Sequence, residues 1–154
     1  MNLKTGVYAD GAHDFLVRGK EKVASHLSQL HDLKLENPNL KTLAAFGGAN
    51  DSMNVFWSSM VANSDSRSAF AQNCFDLINT HKLDGIDIDW EYPNFKSDNI
   101  PDKTNFVLLL KELRKKFGAS FLLSAAIGPG VFSTNRSYLI PEIFNECDFV
   151  NLMT

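Results

Sequence analysis

Four carboxylates crowd into the run Leu83-Asp-Gly-Ile-Asp-Ile-Asp-Trp-Glu-Tyr-Pro93, at Asp84, Asp87, Asp89 and Glu91. In an extended segment side chains alternate, so Asp87, Asp89 and Glu91 fall on one side, and Ile86, Ile88 and Trp90 on the other. Aspartate is a poor strand former, and the spacing of roughly 6.6–6.8 Å brings like charges together, so neither propensity nor stability explains the pattern. A row of this kind is suited to exchanging protons with a bound molecule or to holding a cation. The cation reading fits poorly. Asp87-x-Asp89-x-Glu91 resembles the start of a calcium loop, but Tyr92 stands where glycine is required and Asp98 where a bidentate glutamate is wanted. A merely solvated face is the third reading, and a parallel strand between two crossover helices is rarely wet on either side.

The elements that must position these acids follow from the apolar pattern. Four short apolar segments alternate with four amphipathic ones, the signature of a parallel sheet crossed over by helices, so the fold class is α/β. A first helix is expected from about Gly19 to Leu35, with Val23, Leu27 and Leu30 on one face, ending before Asn37-Pro38. A strand at about Leu40 to Phe46 breaks at Gly47-Gly48. Ser64-Asp65-Ser66 offers an N-cap for a second helix that turns Phe70, Cys74, Leu77 and Ile78 inward. The acidic strand runs from Gly85 to Glu91 and stops at Tyr92-Pro93-Asn94.

Phe106, Leu109, Leu110, Leu113 and Phe117 mark a third helix, closed by basic residues and by Gly118 as a left-handed cap. A strand at about Phe121 to Ile127 leads through Gly128-Pro-Gly130 to a short helix near Leu139 to Asn145. The last strand, Asp148 to Met153, meets the chain end without a following cap, so the chain is expected to be cut there. The buried face of the acidic strand belongs under helices. Its acids then face a barrel interior, with Glu91 at the C-terminal mouth where barrel active sites lie. An intact three-layer α/β sandwich would alternate in the same way.

Composition removes several function classes. The 154 residues carry a net charge of −3, with 21% charged and 44% hydrophobic residues: enough for a core, and no basic surface to track a phosphate backbone. Nucleic acid is not an expected partner. Apolar runs such as Phe121-Leu-Leu-Ser-Ala-Ala-Ile127 fall far short of the roughly 20 residues that span a bilayer, so no membrane association is expected either. The N-terminal Met1 to Asp10 lacks the apolar core of a secretory signal. Cys74 and Cys147 have no metal-ligand spacing, and His13, His26, His31 and His81 are scattered and read as solvated. No metal and no cofactor is expected. Asn50-Asp-Ser52 and Asn135-Arg-Ser137 are glycosylation triplets, which nudge the reading toward a secreted protein.

The run from Asp84 to Pro93 resembles the signature of the family 18 glycoside hydrolases (the chitinases and chitinase-like proteins), D-x-x-D-x-D-x-E followed by Tyr-Pro on the fourth barrel strand. Asp84, Asp87, Asp89 and Glu91 match all four acids. Other segments are similar in order. Asn37 to Leu43 and Gly47-Gly48 match strand three, Leu123-Ser-Ala-Ala126 strand five, and Asp148-Phe-Val-Asn-Leu-Met153 strand six. Val7-Tyr-Ala-Asp-Gly11 resembles the loop after strand two. The resemblance implies that residues 1–154 form a partial catalytic domain, about half of a (β/α)₈ TIM barrel, lacking strands one, seven and eight and most of strand two.

It also implies hydrolysis of β-1,4-linked N-acetylglucosamine polymers with retention, the substrate's acetamido oxygen acting as nucleophile. Glu91 would protonate the leaving oxygen and later activate water. Asp89 would orient the acetamide and share a proton with the deeper Asp87, while Asp84 would be structural. Chitin or chito-oligosaccharide is the implied partner, at an extracellular site, with a monomer once the barrel is complete. Tyr92, Gly48, Met153 and Trp57 are candidate substrate contacts, and Gly47 joins Asp84 as part of the structural motif. Core packing competes with the pocket for Met153, strand-ending with the pocket rim for Tyr92, and packing under a helix with sugar stacking for Trp57.

Two departures stand out. Ala45 replaces the family's serine, removing a hydroxyl that would bond into the acid row, and Ala49 replaces a tryptophan platform. The motif Met-x-Tyr-Asp is represented only by Met153 and Thr154, so this chain alone is expected to show little activity. A chitinase-like lectin, or an inactive fragment that binds sugar without cleaving it, is the alternative; such lectins commonly lose the glutamate retained here at Glu91.

Overall fold

A computed structural model of the chain describes residues 4–5, 29–49, 51–94 and 101–154. Its strands are β1 (Lys4–Thr5), β2 (Leu43–Gly47), β3 (Gly85–Asp89), β4 (Leu122–Ile127) and β5 (Phe149–Leu152). The helices are α1 (29–36), α2 (Asp51–Val61), α3 (Ser64–His81), α4 (Asp102–Phe117), α5 (Val131–Ser137) and α6 (Ile140–Glu146). The strands form one sheet in sequence order, β1-β2-β3-β4-β5. β2 to β5 are mutually parallel, as strands joined by helical crossovers must be, and β1 pairs antiparallel with β2 through Lys4↔Ala45 and Thr5↔Ala44.

The expected α/β alternation is present, with local differences. The segment after Gly48 contains α2, because Trp57, Met60 and Val61, one helical turn apart, are all buried on the same side. A further helix, α5, precedes the expected one at α6. The cap of α3 is Asn63, one residue before the serine cluster, its side-chain oxygen accepting the N–H groups of Asp65 at 2.7 Å and Ser66 at 3.4 Å. The third helix closes as expected at Gly118, whose N–H donates to the Arg114 carbonyl at 2.8 Å. Of the first helix, the described part ends at residue 36, just before Asn37-Pro38; Val23 and Leu27 lie outside the described residues, as do Val7 to Gly11, His13, His26, Asn50 and Asp98.

The helix-side face of β3 is dry. Ile86 and Ile88 are fully buried. Burying each contributes about 1.5–3 kcal/mol, more than the roughly 1 kcal/mol span of strand propensity that Asp87 and Asp89 work against. Beyond them an aromatic row crosses the layer. Phe46 meets Phe70 at 5.4 Å, Phe70 meets Trp57 at 5.6 Å, and Trp57 stacks on Trp90 at 5.8 Å. Trp90 then meets Phe106 at 5.8 Å, and Phe106 meets Tyr138 at 6.1 Å. Cys74 sits in the same core, fully buried, with its thiol pKa pushed up by burial, which fits packing better than reactivity.

At the opposite end of the strands, two acids set the register. Asp84 Oδ2 accepts the Thr42 N–H at 2.8 Å while its own N–H donates to the Thr42 carbonyl at 2.7 Å. Asp148 repeats the device between β4 and β5, with 2.8 Å bonds to the N–H and carbonyl of Leu123. Each acid is also held by a helix cation: Lys34 Nζ lies 2.6 Å from Asp84, and Arg114 Nη2 lies 2.7 Å from Asp148. Partial burial tends to raise the Asp84 pKa, but the Lys34 and Thr42 hydrogen bonds and the charges of Lys34 and Lys41 outweigh it and hold the carboxyl below its ordinary value.

A depressed folded-state pKa adds stability above the unfolded value, and that stability is lost as pH falls through the folded value. Asp84→Asn should therefore lower stability by about 1–3 kcal/mol at pH 7. The gap should close as pH drops below the ordinary aspartate value of about 3.9. Urea titrations of both proteins across that range measure it.

Candidate active site

β3 carries the acids on the face away from the isoleucines. Asp87 and Asp89 belong to the strand, but β3 ends at Asp89, so Glu91 is placed two residues past it and not, as expected, within it. The reason is local: the β3–β4 ladder stops at Ile88↔Ala125, and the chain turns at Tyr92-Pro93-Asn94. Glu91 is half-buried and Asp89 is 8% exposed, whereas Trp90 between them is buried among the aromatics. The alternation of acid and apolar side chains therefore continues past the end of the strand.

The row is held by neighbours on both sides. Ser124, paired with Asp87 in the register, donates its hydroxyl to Asp87 Oδ1 at 2.6 Å, and Asn151 Nδ2 donates to the same oxygen at 3.2 Å. On the β2 side Ala45 stands opposite Asp87 and Gly47 opposite Asp89. Gly47 and Gly48 have φ of +120° and +110°. A Cβ on Gly47 would overlap the Asp89 carbonyl, which itself accepts the Gly48 N–H at 2.8 Å. Only glycine permits both that conformation and that approach.

Tyr92 is half-buried beside the acids, its hydroxyl hydrogen-bonded to the Glu91 carboxylate. Burial, then the Glu91 charge and hydrogen bond, then the Asp89 charge, raise its pKa. Its ring lies against Gly128, where an added Cβ would come within 2.7 Å of Cε1. The peptide between Glu91 and Tyr92 is cis.

Sequence reasoning placed the remaining candidates unevenly. Trp57 is 1% exposed and packed between Phe70 and Trp90, so of its two readings the structure supports packing and corrects the sugar platform. Met153 follows β5, half-buried, its N–H donating to Ile127 at 3.0 Å. Asp84 precedes β3, its carboxylate bonded to Thr42 and Lys34 and not to the acid row's donors. His31 and His81 are half-buried, not fully solvated.

Four residues not named among the site candidates also bear on the site. Ser124 and Asn151 hold Asp87; a small polar residue amid the apolar run of β4 was the available signal. Asp102, buried, accepts the Ser58 hydroxyl at 2.7 Å and the Asn94 N–H at 3.4 Å, so it holds Asn94. Arg136 Nε donates to the Asn94 carbonyl at 3.2 Å. Among the described residues no three His, Cys, Asp or Glu side chains are grouped to hold a metal, and no helix is long and apolar enough to cross a membrane.

The family model for glycosyl hydrolases family 18 matches residues 3–154. The chain belongs to that family. It is 36% identical over 122 residues to "Probable chitinase 2" of Drosophila melanogaster, a match that covers 79% of this chain and 25% of that protein. Chitotriosidase-1 of Mus musculus is 33% identical over 133 residues, covering 81% and 28%. The group IV chitinase of Ostrinia furnacalis, solved in complex with allosamidin, superposes with a TM-score of 0.79 at 32% identity, covering 94% of this chain and 38% of that one. This family 18 chain thus spans about a quarter of the curated relatives named and forms part of a (β/α)₈ barrel, in which β2 to β5 are consecutive strands.

Gly47→Ala should be poorly tolerated in this family 18 chain, because strain and overlap with the Asp89 carbonyl fall at one atom. The expected loss of stability exceeds roughly 2 kcal/mol, read from the thermal or urea midpoint.

Proposed function

We propose that this chain supplies the acid-bearing half of an extracellular enzyme that hydrolyses β-1,4-linked N-acetylglucosamine polymers by retaining, substrate-assisted catalysis. The observation that carries the reading is the row Asp87, Asp89, Glu91, with Glu91 two residues past the C-terminal end of β3, in a chain of glycosyl hydrolases family 18. Glu91 is the proton donor to the leaving glycosidic oxygen and the base for the returning water. Tyr92, bonded to its carboxylate, keeps it facing the row. Asp89, one step deeper, orients the acetamide and stabilises the positive charge that develops as its oxygen attacks the anomeric carbon. Asp87 supports Asp89 from below and is itself fixed by Ser124 and Asn151. Retention of Glu91 favours cleavage over sugar binding alone.

The test is a pair of substitutions in a protein that carries the complete barrel. Glu91→Gln keeps shape and deletes the acid, so chito-oligosaccharide should still bind while turnover falls by roughly 10²–10⁴-fold or more. Asp89→Asn should lower turnover and also weaken an oxazoline-mimicking inhibitor. Hydrolysis surviving in Glu91→Gln would leave a sugar-binding role as the better account.

Ala45 faces Asp87 across the β2–β3 register without a hydroxyl to offer. Ala45→Ser should raise kcat about 2- to 5-fold if its hydroxyl bonds into the row, an effect worth roughly one weak hydrogen bond. Initial rates on a chromogenic oligomer measure it.

A further inference from the structure

We infer that Tyr138 is a positioning residue for Glu91, its hydroxyl bridging the two backbone segments just beyond the ends of β3 and β4. The inference rests on the reading of Glu91 as the acid. Register pairing between the two strands stops at Ile88↔Ala125, and Trp90 and Gly128 each lie one residue past the end of their strand, β3 ending at Asp89 and β4 at Ile127. The Tyr138 hydroxyl serves both. It donates to the Trp90 carbonyl at 3.3 Å and accepts the Gly128 N–H at 3.4 Å.

Each of those peptides touches the acid by a short path. The Trp90 carbonyl belongs to the peptide that enters Glu91, so holding it sets the direction in which the Glu91 side chain leaves the backbone. Gly128 is the seat of the Tyr92 ring, and Tyr92 bonds the Glu91 carboxylate. The carbonyl of Gly128 is fixed as well, by the Thr134 hydroxyl at 3.2 Å, so α5 and its C-terminal flank grip that glycine from both sides. Tyr138 is 2% exposed and ends the aromatic row, its ring meeting Phe106, so the hydroxyl is aimed by packing and has little freedom to leave. Burial, with the negative charge of the acids nearby, pushes its pKa up and keeps it a neutral donor.

Tyr138→Phe removes the hydroxyl and leaves the ring, which makes it the discriminating substitution in a complete-barrel protein. The expected result is a fall in kcat of roughly 10- to 100-fold, as for a misplaced catalytic group. KM for a chito-oligosaccharide should change by less than about threefold, since Tyr138 meets the acid and not the sugar. The double variant adds a reading that a purely structural role would not give: in the Glu91→Gln background, Tyr138→Phe should cause no further loss of the residual rate. Circular dichroism and a thermal midpoint establish the folded fraction to which kcat is referred. An unchanged kcat, or losses in the double variant that simply multiply, would overturn the positioning role. If Glu91→Gln is inactive and Tyr138→Phe is fully active, the positioning role alone fails. Activity surviving in Glu91→Gln removes the acid assignment and the positioning role with it.

Discussion

Three carboxylates in one row, Asp87 and Asp89 on β3 and Glu91 two residues past its end, set the constraint that the surrounding structure answers. Two unit charges about 6.7 Å apart, the separation of alternate residues along a strand, repel by about 2.5 kcal/mol at an effective dielectric of about 20. That repulsion is offset only where the strand cannot move and the oxygens meet donors. The isoleucines and Trp90 anchor the opposite face in the helix layer, and Ser124 and Asn151 supply donors to Asp87, the innermost acid. The buried face thus provides the stability, and the acidic face is free to carry chemistry that stability alone would disfavour.

The same division runs along the strand direction. At the N-terminal ends, Asp84 and Asp148 are strongly hydrogen-bonded, paired with cations and held below the ordinary aspartate pKa, so they behave as fixed anchors. At the C-terminal ends, regular pairing gives way to contacts that glycine makes possible: Gly47-Gly48 against the Asp89 carbonyl and Gly128 against the Tyr92 ring. These carry no Cβ, so backbones and an aromatic ring approach closely enough to fix the acids without filling the space in front of them. One end of the sheet sets the register, and the other end uses it.

Much of this was legible in the residues. Period-two alternation from Ile86 to Glu91 gave the two faces, Asn37-Pro38 and Gly118 bounded helices, and the four acids carried the family. The misses have physical causes. No apolar pattern announces α2, because its stretch mixes serine and asparagine with apolar residues, and the helix is marked only by the burial of Trp57, Met60 and Val61. Trp57 could as well have stacked on a sugar; stacking on Trp90 is a tertiary choice that no local pattern records. The strand was expected to run on to Glu91 because alternation does, yet β3 ends at Asp89 and its last pairing with β4 is Ile88↔Ala125.

That early stop bears on how the acid is controlled. A side chain inside a regular ladder inherits its direction from two neighbouring strands. One beyond the ladder depends on whatever replaces those bonds, so the geometry of Glu91 is determined by groups distant in sequence. Trp90 is held on one side by the stack with Trp57 from α2, and on the other by Phe106 from α4. The Tyr138 hydroxyl holds its carbonyl. Asp102 and Arg136 fix Asn94, three residues after the acid. Tyr92 reaches the carboxylate itself and rests on a glycine of the next strand. These contacts surround Glu91 from the helix layer, the following loop and the adjoining strand, and leave the face it shares with Asp87 and Asp89 as the direction in which the acid can act.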